Sequence, residues 1–313
     1  MSGVRAGRHG MRQITKPAGF IRHAVLLSVC VLVSCAGLPE DTDSDTLLQH
    51  DDGHAAAPLP VFDAHIHYSE DVWGAIPPGR AMAMLSAAGI DRAIVSATPG
   101  DGAARLYREA PARVVPFLRP YPSRAHRYTW YRDPDIPSWV RAELSRVPYR
   151  GIGEFHVFAT DAASPVVQEI TAIARHQGLV LMAHTDAEGI ALILAQVPDT
   201  DVIWAHAGFD VPIAVLQSLL DAYPRLYLEL SFREDMLNDR GLTRDWRDFL
   251  VVNAERCLAG TDTYTPQRWA GLAGLMDETR QWLRQLPDEV ATRIAHDNAA
   301  ELFAAGGPDH SDR

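Results

Sequence analysis

The sequence predicts an α/β chain folded as a (β/α)8 TIM barrel, and three observations carry that expectation. Short β-branched or apolar runs alternate with longer segments of helical periodicity from Val61 onward, which implies parallel pairing. Eight such units fit into about 240 residues, the span of one barrel. No Gly-rich phosphate fingerprint follows the first run, so the open doubly wound sheet is the runner-up.

In chain order the strand candidates are "VFDAHIHY" from Val61, "DRAIVSATP" from Asp91, "RVVPFLRP" from Arg113 and "RGIGEFHVF" from Arg150. They continue with "GLVLMAHTD" from Gly178, "TDVIWAHAG" from Thr200, "RLYLELSF" from Arg225 and "RCLAGTDTY" from Arg256. Between them "AMAMLSAAG", "SPVVQEITAIARHQG", "EGIALILAQV" and "VPIAVLQSLLDAYP" repeat apolar residues at helical spacing and stop at Gly or Pro. Two connections are long, residues 120–149 and 232–255, and long loops after barrel strands shape pockets or lids. The first holds Trp130, Tyr131 and Trp139 among arginines.

The barrel is expected over residues 61–303, with a disordered tail over 304–313. Residues 1–34 carry five basic residues and no acidic one, then the apolar run "AVLLSVCVLVS", as a secretory signal does. "LVSC" resembles the lipobox of bacterial lipoproteins. That implies lipidation of Cys35 and a lipid anchor in the bacterial cell envelope, on the outer membrane if the organism is Gram-negative; residues 35–60, acidic and rich in Asp, Ser and Pro, are expected to form a flexible tether. The remaining chain has 24 basic against 40 acidic residues, a formal charge of −16, which repels phosphate backbones and excludes a nucleic-acid substrate. Lys16 is the only lysine. Once Cys30 and Cys35 are accounted for, Cys257 has no cysteine to pair with and reads as a small buried hydrophobe.

Strand alternation sets Asp63, His65 and His67 on one face, and it pairs Glu154 with His156, Met182 with His184, Trp204 with His206 and Gly260 with Asp262. Each ionisable residue comes late in its strand, at the end of a barrel where chemistry is done. Enclosing imidazoles and carboxylates together costs several kcal/mol unless they are paired or coordinate a cation. The donor set suits zinc or a similar divalent metal.

His-X-His on the first strand, an acid on the fourth, single histidines on the fifth and sixth, an aspartate on the eighth and the closing "NAAELF" together resemble the amidohydrolase superfamily, in its amidohydrolase-related branch. The resemblance implies that His65 and His67 hold one metal ion, with His184 and His206 ligands to a second or catalytic groups. It also implies that Asp262 binds metal and handles protons. Many members bridge two ions with a carbamylated lysine on the fourth strand; this chain has no lysine there, so Glu154 would take that place or the site holds one ion. His156, Arg119, Tyr264 and Arg268 are candidates for substrate contact. The implied reaction is hydrolysis of a small organic ester, lactone or amide by a metal-activated water. The alternatives are non-oxidative decarboxylation of an aromatic or unsaturated acid, and a metal-binding surface lipoprotein without turnover.

Overall fold

The structure is a computed structural model that describes residues 59–304. The expected signal segment, Cys35, the tether up to residue 58 and the tail beyond Ala304 lie outside the described residues. Among the described residues no helix is long and apolar enough to cross a membrane.

All eight expected runs form strands of a single parallel sheet: β1 (Val61–His67), β2 (Ile90–Ala97), β3 (Val114–Leu118), β4 (Gly151–His156), β5 (Val180–His184), β6 (Val202–Trp204), β7 (Leu226–Glu229) and β8 (Cys257–Leu258). Their spatial order is their chain order. The ends meet where the Ala64 amide donates to the Ala259 carbonyl and the His67 amide to that of Thr263, each at 2.9 Å, so the sheet closes on itself as a barrel. Helices α1 (Pro78–Ala87), α2 (Asp101–Glu109), α3 (Ile136–Leu144), α4 (Pro165–Gln177), α5 (Ala187–Gln196), α6 (Ile213–Ala222), α7 (Arg244–Val252) and α8 (Leu272–Leu283) follow the strands in turn.

Local chemistry sets these boundaries. Before α4, the Ser164 hydroxyl accepts from the Val167 amide at 3.3 Å and Pro165 occupies the first turn; Gly178 ends the helix at φ 63°, a left-handed position that costs glycine nothing. Asp186 caps α5 by accepting from the Gly189 amide at 2.7 Å.

Two apolar layers result. One fills the space between strands and helices and takes in Ile66, Ile152, Leu181 and Leu228. The other gathers Phe62, Val115, Phe117, Met182, Ile203 and Leu258, which belong to different strands and can meet only inside the barrel. Leu302 and Phe303, at the end of the closing helix Asn298–Leu302, join this inner layer. The opposite end of the barrel is left to polar residues.

Two long connections carry structure of their own. Residues 120–149 hold α3, and Trp130 is fully buried there, donating from its indole to the His156 carbonyl at 3.0 Å and packing on Phe155. Residues 232–255 hold α7 and a small antiparallel hairpin of Leu237–Asn238 with Gly241–Leu242.

Strict alternation fails on β6. Trp204 packs in the outer layer, whereas Ile203 and Ala205 point inward. His206 still turns inward because the strand stops at Trp204 and His206 and Ala207 adopt φ of 59° and 44°, a left-handed turn. β1 and β4 also have register irregularities, between Asp63 and Ile66 and between Gly153 and Phe155.

The β1–β8 seam rests on Asp63. Its buried carboxylate accepts from the Thr261 hydroxyl at 2.7 Å and from the Thr261 and His65 amides, both at 3.0 Å. Burial pushes Asp63 up to about 7, against these hydrogen bonds that favour its charge. Asp63→Ala leaves buried donors without partners and is expected to cost about 3 kcal/mol or more, read as a lower urea midpoint. An unchanged midpoint would remove Asp63 from the seam.

Candidate metal centre

His65 and His67 leave β1 with their Nε2 atoms 3.1 Å apart. Asp262, just beyond β8 at φ 43°, brings Oδ1 to 3.1 Å from His67 Nε2 and 3.5 Å from His65 Nε2. Glu154 from β4 brings Oε2 to 3.2 and 3.7 Å from the same two nitrogens. Ligand atoms arranged tetrahedrally at roughly 2.0–2.2 Å from zinc lie about 3.3 Å from one another. His65 Nε2, His67 Nε2 and Asp262 Oδ1 are therefore spaced as ligands of one ion, with Glu154 Oε2 beside them. His206 Nε2 approaches from β6, 3.6 Å from Glu154 Oε1 and 4.0 Å from Asp262 Oδ2.

Hydrogen bonds behind the rings aim these nitrogens. His206 Nδ1 lies 3.2 Å from the Ser231 carbonyl oxygen, which can only accept, so Nδ1 carries hydrogen and Nε2 is the nitrogen that faces the cluster. His65 Nδ1 is 2.8 Å from Glu229 Oε2, and His67 Nδ1 is 2.7 Å from Ser96 Oγ. An imidazole with one nitrogen held by a carboxylate or carbonyl is the usual state of a metal-binding histidine.

The electrostatics agree. Burial works against charge on His65, but the carboxylates of Asp262, Glu229 and Glu154 outweigh it and raise its pKa well above the histidine range. Burial likewise opposes charge on Glu154; the imidazoles around it, His184, His206 and His65 among them, outweigh that and hold it well below the carboxylate range. A field that draws a proton onto His65 also draws a metal cation to the point its Nε2 faces. Asp262 Oδ1 is buried and has no hydrogen-bond donor, which leaves it free for such a cation.

The other residues singled out in the sequence fall as follows. His184 Nδ1 is 2.8 Å from Glu154 Oε1, and its ring stacks on His156 with centroids 4.1 Å apart. His156 is buried, receives a hydrogen bond from Arg127 Nη2 at 2.6 Å, and is pushed down to about 2, chiefly by burial. Arg119 is buried, with Nη2 at 2.6 Å from Glu154 Oε2 and 3.0 Å from His67 Nε2. It lies inside the cluster rather than above it. Tyr264 is 43% exposed and lines the cavity over the centre. Arg268 donates to the Asp262 and Thr261 carbonyls at 2.9 and 2.6 Å, so the guanidinium is engaged in holding the backbone that presents Asp262.

Sequence reasoning passed over Glu229. This fully buried carboxylate, the last residue of β7, accepts from His65 Nδ1, from the His206 amide at 3.1 Å, and from the Ser231 amide and hydroxyl at 2.6 and 2.9 Å. The available signal was its place at the end of "LYLE", the same late position held by the other polar residues. Gly260, two residues beyond β8, makes the room, because a Cβ there would overlap Glu229 Oε1. Arg127 was also missed.

A cavity of about 620 Å³ opens over the cluster, and among its lining residues are Arg119, Arg124, Arg127, Glu154, His184, His206, Phe209, Phe232 and Asp262.

No curated protein sequence matches this chain. Solved structures of similar fold include an uncharacterised TIM-barrel protein from Bordetella bronchiseptica, with TM-score 0.59 and 16% identity over 79% of this chain and 99% of that one. A putative 2-pyrone-4,6-dicarboxylic acid hydrolase from Pseudomonas putida has TM-score 0.55 and 15% identity over 78% and 97%. A zinc-bound amidohydrolase from Burkholderia multivorans has TM-score 0.50 and 17% identity over 77% and 97%. At these identities the likeness is one of fold. The amidohydrolase family model matches residues 62–305, most of the barrel and both ends of the cluster. The chain belongs to the amidohydrolase family.

Proposed function

We propose that this protein is a metal-dependent hydrolase of a small organic substrate. One observation carries the reading: of the three carboxylates around the centre, Asp262 alone keeps an oxygen, Oδ1, with no hydrogen-bond donor. Glu154 is engaged by His184 and Arg119, and Glu229 by His65, His206 and Ser231. Asp262 is thus the carboxylate with an oxygen open to the ion, which leaves its second oxygen, Oδ2, to take up a proton.

His65, His67, His206 and Asp262, with Glu154 beside them, would hold a divalent ion, and a zinc-type donor set of this composition supports that choice. Such an ion, when bound, acidifies water and polarises a carbonyl. Asp262 Oδ2 accepts the proton of the attacking water and returns it to the leaving group. Arg119, within reach of Glu154 and His67, places a fixed positive charge beside the developing oxyanion. Because Arg119 and His184 already occupy both Glu154 oxygens, the reading favours one ion over two.

Elemental analysis of protein purified without added metal, followed by chelation, is the direct test. The expected result is about one divalent ion per chain, with hydrolysis of an ester, lactone or amide panel lost on chelation and restored by zinc. Carbon dioxide as the released product would replace hydrolysis by decarboxylation; metal binding without turnover would leave a binding protein. We further propose that the chain is held at a membrane by a lipid on Cys35, which mass spectrometry of the mature N-terminus would reveal.

A further inference from the structure

Three arginines line the cavity, and only one lacks an acidic partner. Arg124 pairs with Asp71 at 2.5 Å and Arg119 with Glu154 at 2.6 Å. Arg127 makes no ion pair among the described residues; its Nη2 hydrogen-bonds His156, and it lies over the Tyr128 ring at 5.5 Å. Because Arg127 Nη2 donates at 2.6 Å, His156 Nε2 must accept through a lone pair, so the histidine gives no counter-charge. The His156 ring is itself buried and stacked on His184, and among the described residues its hydrogen-bond partner is Arg127, whose guanidinium it holds in place. A half-buried cation of this kind in a pocket wall calls for an anion, and guanidinium geometry suits a carboxylate.

Another part of the cavity has a different character. Phe209 lies 4.3 Å from His206, centroid to centroid, and Phe232 5.6 Å. Each is 37% exposed, and each sits at positive φ, 59° and 58°, a region aromatic residues rarely adopt. Backbone held in that conformation aims two rings at the cavity rather than into the core.

We infer that Arg127 is an anion subsite of this cavity and that the substrate is a small organic acid, its carboxylate on Arg127 and its flat apolar body against Phe209 and Phe232. The inference rests on the hydrolase reading only for the fate of the substrate's other end. Contacts of 2.6 and 4.0 Å link Arg127 through His156 to Glu154 Oε1, so an acid group held by Arg127 stands apart from Asp262 and the clustered imidazoles. It is an anchor and survives the reaction, while the bond that breaks lies a few atoms away.

The test is an equilibrium one, so it does not depend on turnover. Calorimetric titration of the metal-loaded full-length protein with benzoate and with benzamide, its neutral isostere, is expected to show benzoate bound about ten-fold or more tightly, as hydrogen bonds to charged groups allow. Arg127→Met is expected to abolish that preference, Arg127→Lys to keep part of it, and Arg124→Met to leave it intact. Circular dichroism and the melting midpoint establish that the variants fold; if Arg127→Met does not, Arg127→Gln takes its place. Equal binding of the two probes by the wild type would overturn the inference. So would a benzoate preference that survives loss of Arg127 and disappears on chelation, since the carboxylate would then be a metal ligand. Absence of ester or amide hydrolysis with the Arg127-dependent preference intact would overturn the hydrolase reading and leave the subsite standing.

Discussion

Asp262→Asn is expected to retain metal and lose turnover by about 10²- to 10⁴-fold, the usual worth of a positioned acid or base. The carboxamide keeps the shape of the side chain and an oxygen that can face His65 and His67. Its amide nitrogen, in the place of Oδ2, cannot take up a proton. Loss of kcat with KM and metal content near wild type would therefore separate proton handling from metal binding. Measuring both is straightforward once the substrate panel gives a signal: elemental analysis for the ion, steady-state kinetics for the rate. His67→Ala should behave differently, losing metal and activity together, because its Nε2 lies within 3.2 Å of His65, Glu154 and Asp262 alike. A fully active Asp262→Asn enzyme would take the base away from Asp262. Glu154 could replace it only by giving up Arg119 or His184.

The barrel was legible because each strand of a parallel sheet is covered on both faces, which writes it into the sequence as an unbroken apolar run. The polar residues at the strand ends were legible for the converse reason: nothing in a dry core explains "HIH" or "GEFH". What strand alternation could not supply was the behaviour of the chain beyond the last ladder bond. His206 reaches the centre by a left-handed turn, not by sharing a face with Trp204, and neither His206 nor Ala207 announces such a turn. Arg268 illustrates the same limit. Its position after Asp262 suggested substrate contact, but its hydrogen bonds to two carbonyls depend on how the eighth loop folds back. Arg127 sits among several arginines in "SRAHRYTWYR", and only the fold shows which of them faces an acid and which does not. Glu229 is a different case. The rule that picked Glu154 and His184 applied equally to the end of β7, so its role was readable and was overlooked.

Glu229→Gln is expected to weaken metal binding by about 10- to 100-fold, as loss of a partner behind a ligating histidine does. Glu229 gathers donors from β1, from the turn after β6 and from Ser231, and Gly260 just beyond β8 leaves space for it. In the wild type the carboxylate can accept all of them. An amide of the same size has one acceptor oxygen and an NH2 that must face either His65 Nδ1 or the Ser231 and His206 donors. If it faces His65, the ring is driven to the other tautomer, and Nε2 then carries the hydrogen that metal binding must displace. If it faces Ser231, buried N–H groups lose their partner and the turn that presents His206 loosens. Either way affinity falls, without any direct contact to the ion. Competition against a chromophoric chelator would read the change, and Ser231→Ala, which leaves the Glu229–His65 contact in place, should shift it less. A Glu229→Gln protein that folds and holds metal as tightly as the wild type would show that His65 is aimed by β1 alone and that the buried carboxylate serves only the barrel.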